Sequence, residues 1–298
     1  MTTKSVHSAR AGQRLQRIVL RFALYGGALI VGVPLALAYA MTSTLRAPIS
    51  TTPTEGYETV SFVSEGLRLR GWLRKGAHDQ AAFVIVHGLG DTLESYQEHA
   101  RPLVDRGHTV LLFDLRAHGG SEGSRTTLGG HESEDVRAAM RYLREAELGG
   151  AGYVLMGHSM GAVAVLLAAA DESDVRAVIA EAPYDTYRNT VTHHARIFFG
   201  LPSWMPWIPL SIGFAELIAG FDADAIDCVS AAERIHAPLL AIVDGEDSRM
   251  PEPVVRRIFD AHSGPKELWI AAGVDHVGAI LNPDWKERII EFLDDQGL

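Results

Sequence analysis

Short apolar runs that alternate with amphipathic helical patterns constrain the fold of this chain more than any other feature. Six runs rich in Val, Ile, Leu and Ala have the length of a strand, at residues 82–86, 109–113, 153–156, 175–180, 239–243 and 267–270. Continuous runs of this kind are typical of strands buried on both faces. Helical patterns with one apolar face lie between them, at residues 93–106, 133–147, 253–261 and 285–293. The alternation predicts a mostly parallel sheet with helices on both faces.

Two further runs, at residues 59–63 and 67–73, alternate between apolar and polar positions. Glu65 and Gly66 lie between them as turn residues, so the two runs are predicted to form a hairpin at the edge of the sheet. The complete sheet would then have eight strands. Sheets of this type bind their ligands at the carboxyl ends of the parallel strands.

A strand, a glycine-flanked turn and an apolar helix follow one another at residues 153–170. The turn reads Gly157-His158-Ser159-Met160-Gly161, a Gly-x-Ser-x-Gly motif. So tight a turn lifts the serine hydroxyl above the sheet edge, and the glycines leave room where a Cβ atom would strike the adjacent strand or helix. The motif in this context indicates that Ser159 is a nucleophile.

With this motif, the chain resembles the α/β-hydrolase superfamily over about 240 residues, from Tyr57 to the end. The resemblance is closest to serine hydrolases of the lipase, esterase or serine aminopeptidase-like kind, several of which are membrane-anchored. It implies an α/β-hydrolase fold with a mostly parallel eight-stranded sheet, helices on both faces and a small helical cap inserted at about residues 184–235. It also implies a Ser-His-Asp triad that acts through an acyl-enzyme.

The segment His87-Gly88-Leu89-Gly90 follows the predicted strand at residues 82–86. It resembles the oxyanion loop of the superfamily, whose backbone N–H groups point at the negative oxygen of the acyl-transfer intermediate. The resemblance implies that the amides of Leu89 and Met160 form the oxyanion hole, although the donor in the loop is open to a shift of one residue. His87 is interpreted as a residue that packs the loop.

The segment from Asp114 to Gly123 resembles the Asp-x-Arg-Gly-x-Gly-x-Ser signature that follows the next strand in the superfamily. Ala117 replaces a common glycine in it. Arg116 and Ser121 are interpreted as structural residues that hold the loop by hydrogen bonds. His118 precedes the nucleophile in the chain, contrary to the order of the superfamily, and is not expected to be the base.

The acid and the base are expected to follow the serine in the chain. Asp247 aligns with the acid of the superfamily's His-Gly-x-x-Asp-x-x-x-Pro pattern, with Glu246, Asp244 and Asp185 as rival candidates. His276 ends a Gly-x-x-His segment that resembles the base loop. An imidazole titrates near neutral pH, so His276 can accept the serine proton and return it to a leaving group.

The amino terminus combines a basic segment with an uncharged one. Residues 1–21 carry five basic and no acidic residues, and residues 22–41 carry no charge, a length that matches a membrane span. The predicted organisation is a basic segment at 1–21, a signal-anchor at 22–43, a linker at 44–57 and the folded body at 58–298. Cleavage of a signal peptide after Ala40, with Pro34 ending its apolar region, is the alternative. Both interpretations place the body outside the cytoplasm.

The cap region has an unusual composition. Glu216 is the only charged residue from Ile197 to Phe221. Aromatic side chains are frequent in the same segment: Phe198, Phe199, Trp204, Trp207, Phe214 and Phe221. Three prolines prevent a second spanning helix. We expect these residues to line an acyl or aromatic pocket, to dip into the lipid interface, or to pack on the body.

Composition excludes several other classes of protein. The formal net charge is −10, and the sequence has no basic stripe interleaved with aromatic residues, which argues against nucleic-acid binding. The single cysteine, Cys228, cannot form an intrachain disulfide. His193 and His194 are helix neighbours that point apart, so no metal site is expected. The proposed chemistry requires no cofactor.

The sequence thus predicts a serine hydrolase that cleaves carboxylic esters, including lipid or short acyl esters, with Ser159, His276 and Asp247 as its triad. One alternative is a peptidase of the aminopeptidase-like kind, which requires an acidic pocket for the amino group of its substrate. Asp185 and Glu216 are the candidates for that pocket. A non-catalytic binding protein that keeps the fold is the other alternative.

Overall fold

The structure is a computed structural model that describes residues 3–47, 52–54, 56–276 and 278–298. Within the first helix, side chains are described at residue 14, at residues 16–21 and from residue 25 onward. The side chains of Lys4 and Arg10, in the predicted basic segment, therefore lie outside the described residues. Positions 48–51 and 55 of the predicted linker also lie outside them.

One sheet forms the centre of the body. Its strands are β1 Glu58–Ser64, β2 Leu67–Arg74, β3 Ala82–Val86, β4 Thr109–Phe113, β5 Tyr153–His158, β6 Val175–Glu181, β7 Leu239–Asp244 and β8 Lys266–Ala271. Their order in the sheet is β1-β2-β4-β3-β5-β6-β7-β8. The β1–β2 hairpin and the β2–β4 pair are antiparallel, and the remaining pairs are parallel. The predicted mostly parallel sheet of eight strands is confirmed.

Helices lie on both faces of this sheet, and a further helix lies at the amino terminus of the chain. They are α1 Thr3–Met41, α2 Arg101–Asp105, α3 Gly130–Glu145, α4 Met160–Ala169, α5 Tyr187–Phe199, α6 Trp207–Ala219, α7 Cys228–Arg234, α8 Glu252–Ala261 and α9 Trp285–Asp295. Side chains of α3, α4, α7 and α8 form one core with the sheet. Side chains of α2 and α9 form a second core on the opposite face.

The amphipathic pattern at residues 93–106 does not form the single helix that it predicts. A short 3-10 helix at Leu93–Tyr96 is followed by a break and then by α2. Pro102 stands in the first turn of α2, where its missing N–H is no loss, but proline disfavours a helical conformation in the residue before it. The two short helices still bury Leu93, Tyr96 and Leu103 in one core, so the apolar periodicity reflects a buried face.

Helix α1 is long and apolar enough over Gln16–Met41 to cross a membrane. The helix continues through Pro34 to Met41. Proline inside a helix costs one backbone hydrogen bond, and apolar helices of membrane length tolerate it. Most large side chains before Pro34 are exposed, among them Leu29, Ile30 and Val31.

The last turns of α1 pack against the body. Pro34, Ala38 and Thr42 are four residues apart, so they lie on one face of the helix, and all three are buried. Helix α1 packs on α6. The chain that follows is held too, since the guanidinium of Arg46 donates hydrogen bonds to the carbonyl oxygens of Ser121 and Gly123 at 2.6 and 2.7 Å.

The cap lies between β6 and β7, where the alternation of strands and helices breaks. It contains α5, α6, a 3-10 turn at Ala223–Ala225 and α7. Helix α5 ends at Gly200 in a left-handed conformation (φ +64°), and α6 ends in the same way at Gly220 (φ +70°). These glycine stops give two short helices beside the carboxyl ends of the strands.

Candidate active site

Ser159 stands alone between the end of β5 and the start of α4. Its backbone is in the left-handed region (φ +52°), an uncommon conformation for a residue with a side chain. Gly161 allows this turn because a Cβ atom there would lie 2.6 Å from the carbonyl oxygens of Val86 and His87. A Cβ atom at Gly157 would overlap the backbone of Gly161. Both glycines are thus needed to hold the serine above the sheet edge.

The structure brings Ser159, His276 and Asp247 together from three separate loops. Ser159 Oγ lies 2.9 Å from His276 Nε2, and His276 Nδ1 lies 2.6 Å from Asp247 Oδ2. A carboxylate only accepts hydrogen bonds, so the proton of a neutral His276 resides on Nδ1. Nε2 is then free to accept the proton of the serine hydroxyl.

Asp247 is buried, and its second oxygen is bound by the backbone. The amides of Arg249 and Met250 donate to Oδ1 at 2.7 and 3.1 Å. Burial by itself would raise the pKa of Asp247, but the hydrogen bond and charge of His276 together with the two amides hold that pKa below its usual value of 3.8. The carboxylate therefore stays ionised at neutral pH and can stabilise a protonated imidazole.

The rival acids occupy other positions. Asp244, at the end of β7, is buried, and this burial together with Glu181 and Asp247 raises its pKa to about 8. It is therefore mostly protonated at neutral pH. Asp185 lies 2.7 Å from the guanidinium of Arg257, away from the imidazole. The four candidate acids were Asp247, Glu246, Asp244 and Asp185. Of these, Asp247 is the one that contacts His276 Nδ1.

His158 supports the base loop, a role that the sequence reasoning missed. Its Nε2 lies 2.7 Å from the carbonyl oxygen of His276, so a proton on Nε2 makes it a donor to the backbone of the base. A Cβ atom at Gly88 would lie 2.9 Å from His158 Nδ1, so the ring also packs against the loop after β3. The signal was present, since His158 fills the variable position just before the serine in the motif.

His158, Asp244 and His276 place ligand atoms within 4.8 Å of one another, a grouping that could hold a metal ion. Both ring nitrogens of His276 already have partners in Ser159 and Asp247, and His158 Nε2 is bound to a carbonyl oxygen. These hydrogen bonds leave too few free lone pairs for tetrahedral coordination. We interpret His158 in this grouping as a residue that positions His276, and His276 as the base of the triad.

The loop after β3 and the start of α4 face the same cavity as Ser159. This cavity has a volume of about 680 Å³, and Leu89 and Met160 are among its lining residues. Met160 is the first residue of α4, where the positive end of the helix favours a developing negative charge. His87 packs the loop as expected: its Nδ1 lies 2.7 Å from the carbonyl oxygen of Gly88, and its Nε2 accepts from the Leu115 amide at 3.1 Å.

The loop after β4 is held by side chains that stand apart from the serine. Arg116 binds the carboxylate of Asp135, with its Nη2 2.7 Å from Oδ1. Ser121 Oγ accepts from the amide of Arg70 at 2.9 Å, which joins the loop to β2. Ala117 adopts a left-handed φ of +61°, a conformation that favours glycine.

The cavity has few charged side chains. Asp91 is the single carboxylate among its lining residues, and it accepts hydrogen bonds from the Thr92 amide and the Ser95 hydroxyl. Asp185 and Glu216, the candidates for an acidic subsite, do not line the cavity. Glu216 instead accepts from the Ala223 amide at 3.0 Å.

His194 and Phe198 of α5 form the cap side of the cavity. Burial, with smaller contributions from His193 and His276, lowers the pKa of His194 to about 4, so its ring is neutral at pH 7. His193 binds elsewhere, with its Nε2 2.8 Å from the carbonyl oxygen of Ser248. The two adjacent rings lie side by side, with centroids 6.1 Å apart, and do not point apart as expected. The sequence reasoning also did not foresee that His194 faces the cavity.

Comparisons with known proteins agree with this architecture. The structure superposes on the esterase Pf2001 of Pyrococcus furiosus with a TM-score of 0.68 and 25% sequence identity, covering 86% of this chain and 98% of the esterase. The chain has the α/β-hydrolase fold. A family model described as serine aminopeptidase, S33, matches residues 77–218. Both similarities support a place in the α/β-hydrolase superfamily and a hydrolase function.

Two relatives extend the comparison. YqkD of Bacillus subtilis is 28% identical over 250 residues, which cover 80% of this chain and 81% of YqkD. The quorum-quenching protein AidA of Acinetobacter baumannii is 33% identical over 211 residues, which cover 69% of this chain and 62% of AidA.

Proposed function

We propose that this protein is a serine hydrolase that cleaves carboxylic esters through an acyl-enzyme. The observation that carries the proposal is the continuous hydrogen-bonded chain Ser159–His276–Asp247 at the floor of a cavity. A nucleophile, a base and an orienting carboxylate in this geometry are the components of acyl transfer.

The reaction follows from the positions of these groups. Ser159 Oγ attacks the ester carbonyl while His276 Nε2 accepts its proton, and Asp247 stabilises the imidazolium. The amides of Leu89 and Met160 stabilise the oxyanion. The alcohol leaves with the proton from His276, and a water molecule activated by the same ring then releases the acid.

Esters are favoured over peptides by the charge of the cavity. An aminopeptidase must bind a positively charged amino group, and Asp185 is already paired with Arg257 outside the cavity. Asp91 lines the cavity but is engaged by two neighbouring groups. The similarity to the Pyrococcus furiosus esterase is further support, while the name of the matching family model keeps the peptidase as the alternative.

Helix α1 is proposed to be a retained membrane anchor, with the body on the extracytoplasmic side. The five basic residues before the apolar stretch favour a cytoplasmic amino terminus. Cleavage after Ala40 would remove Pro34 and Ala38, which are buried against the body. These contacts support retention.

The first test uses the full chain in detergent, with p-nitrophenyl esters and aminoacyl-anilides as substrates. We expect the esters to be cleaved much faster, and Ser159→Ala to lower turnover by about 10⁶-fold. Ser95→Ala, which changes another hydroxyl that lines the cavity, is the matched control and should retain most activity. Faster cleavage of the anilides would favour the peptidase, and unchanged turnover in Ser159→Ala would refute the mechanism.

A further inference from the structure

A second cavity lies between the end of α1 and the cap. Its volume is about 280 Å³. Helix α1 contributes Leu37, Ala40 and Met41, while α5 contributes Ala195 and Phe199, and α6 contributes Trp207 and Ile208. The wall of this cavity is therefore built jointly by the helix that could span a membrane and by the cap.

This second cavity adjoins the catalytic one. Leu128, Thr190, His194 and Phe198 line both. A ligand with its reactive group at Ser159 can thus extend past His194 and Phe198 towards α1. Among the described residues that line the second cavity there is no aspartate, glutamate, lysine or arginine, so it suits an apolar group.

The second cavity reaches the surface beside apolar side chains. Phe198 and Phe199 line it and yet are 55% and 63% exposed. Trp204 and Leu217 of the same cap are exposed as well. Exposed apolar side chains grouped next to an apolar helix of membrane length are typical of a surface that contacts lipid.

We propose that this second cavity is an acyl-chain channel, in which α1 forms one wall and the unbranched acyl chain of an ester substrate lies with its carbonyl at Ser159. The inference rests on the proposed function and names its substrate class. A methylene group has about the volume of a water molecule, about 30 Å³ in the liquid, so the channel has room for roughly nine carbons. On this account α1 takes part in substrate selection in addition to anchoring the chain.

Bond making and breaking remain those of ester hydrolysis. The acyl carbon forms a bond to Ser159 Oγ, the alcohol leaves with one proton, and water then releases the fatty acid. Burial of each methylene in the channel should increase kcat/KM by up to about fourfold, until the channel is full.

The test compares two substitutions in α1 of the full chain. Ala40→Phe enlarges a side chain that lines the channel, whereas Leu35→Phe places a ring on the exposed side of the helix that faces away from the channel. Hydrolysis is measured with p-nitrophenyl acetate, butyrate, octanoate and dodecanoate. We expect Ala40→Phe to lower kcat/KM for the two longer esters by about tenfold or more, with little change for acetate. Leu35→Phe should keep the profile of the wild type.

Ala195→Phe fills the same channel from α5 and covers the case in which Ala40→Phe does not fold. Labelling of Ser159 by a short fluorophosphonate reports that each variant is folded. A Ser159-dependent enzyme whose chain-length profile is the same in all four proteins would overturn the channel and leave the proposed function intact. Absence of ester cleavage in the folded wild type would overturn both.

A second set of assays separates the two sources of such a chain. Dioleoylglycerol in phosphatidylcholine vesicles presents it from a bilayer, and the p-nitrophenyl esters present it from solution. A selective loss of activity in Ala40→Phe with both kinds of substrate supports entry of the acyl chain into the channel from the bilayer and from solution. Selective loss with the vesicles, or with the soluble esters, alone also supports the channel and identifies the source.

Discussion

At the scale of single residues, His158 connects the nucleophile turn to the base. It is the residue before Ser159, and it donates to the backbone of His276 across the site. The position of His276 therefore depends on a side chain that takes no part in bond making. His158 is a positioning residue in this account.

Replacing His158 should affect turnover more than substrate binding. We expect His158→Ala to lower kcat by about 10- to 100-fold, because a displacement of about 1 Å at a catalytic group has effects of that size. KM for acetate esters should change little. His158→Gln, which keeps a donor, should recover part of kcat, and His193→Ala on the cap is the control. An unchanged kcat in His158→Ala, or no recovery in His158→Gln, would show that the hydrogen bond does not position the base.

Asp244 should make the stability of the protein depend on pH. Its pKa rises from 3.8 to about 8 on folding because the carboxyl is buried near Glu181 and Asp247. The folded state therefore binds the proton of Asp244 more tightly than the unfolded state does. This difference contributes fully to the free energy of unfolding below pH 3.8. It declines as pH rises and is lost above about pH 8. The slope is at most about 1.4 kcal/mol per pH unit.

Asp244→Asn removes this titration. We expect its melting temperature to exceed that of the wild type by a margin that grows from about pH 5 to pH 8. Asp295→Asn changes an exposed carboxyl and serves as the control. Equal margins at all pH values, or a margin that shrinks as pH rises, would contradict a buried neutral Asp244.

At the scale of elements, the sequence was most informative where apolar patterns are continuous. The strands and α4 were predicted because burial on both faces leaves no polar positions. The pattern at residues 93–106 was misleading, because periodicity reports which face is buried and not whether the backbone is continuous. Helix α1 continues through Pro34, a residue that would end many shorter helices.

At the same scale, motifs located the candidate site more reliably than they ranked its carboxylates. The Gly-x-Ser-x-Gly turn and the two later loops indicated Ser159, Asp247 and His276, and the structure places these three in contact. The opposite states of Asp244 and Asp247 depend on which tertiary neighbours surround each carboxyl. No local pattern in the sequence encodes that difference.

At the scale of the whole molecule, the cap and α1 form a unit that sequence reasoning described separately. The sequence indicated an apolar cap and an apolar amino-terminal helix. It contained no signal that Pro34, Ala38 and Thr42 would face the body or that Leu37 and Met41 would close a cavity. The contacts between α1 and α6 join segments more than 150 residues apart, and only the folded chain specifies them.

The central claim is that Ser159 carries the acyl group during turnover. The most direct measurement is mass spectrometry of the full chain after reaction with p-nitrophenyl acetate and an acid quench. We predict one acetyl group on the peptide that contains Ser159, and none in Ser159→Ala. An acetyl group on another residue, or full turnover in Ser159→Ala, would contradict the account.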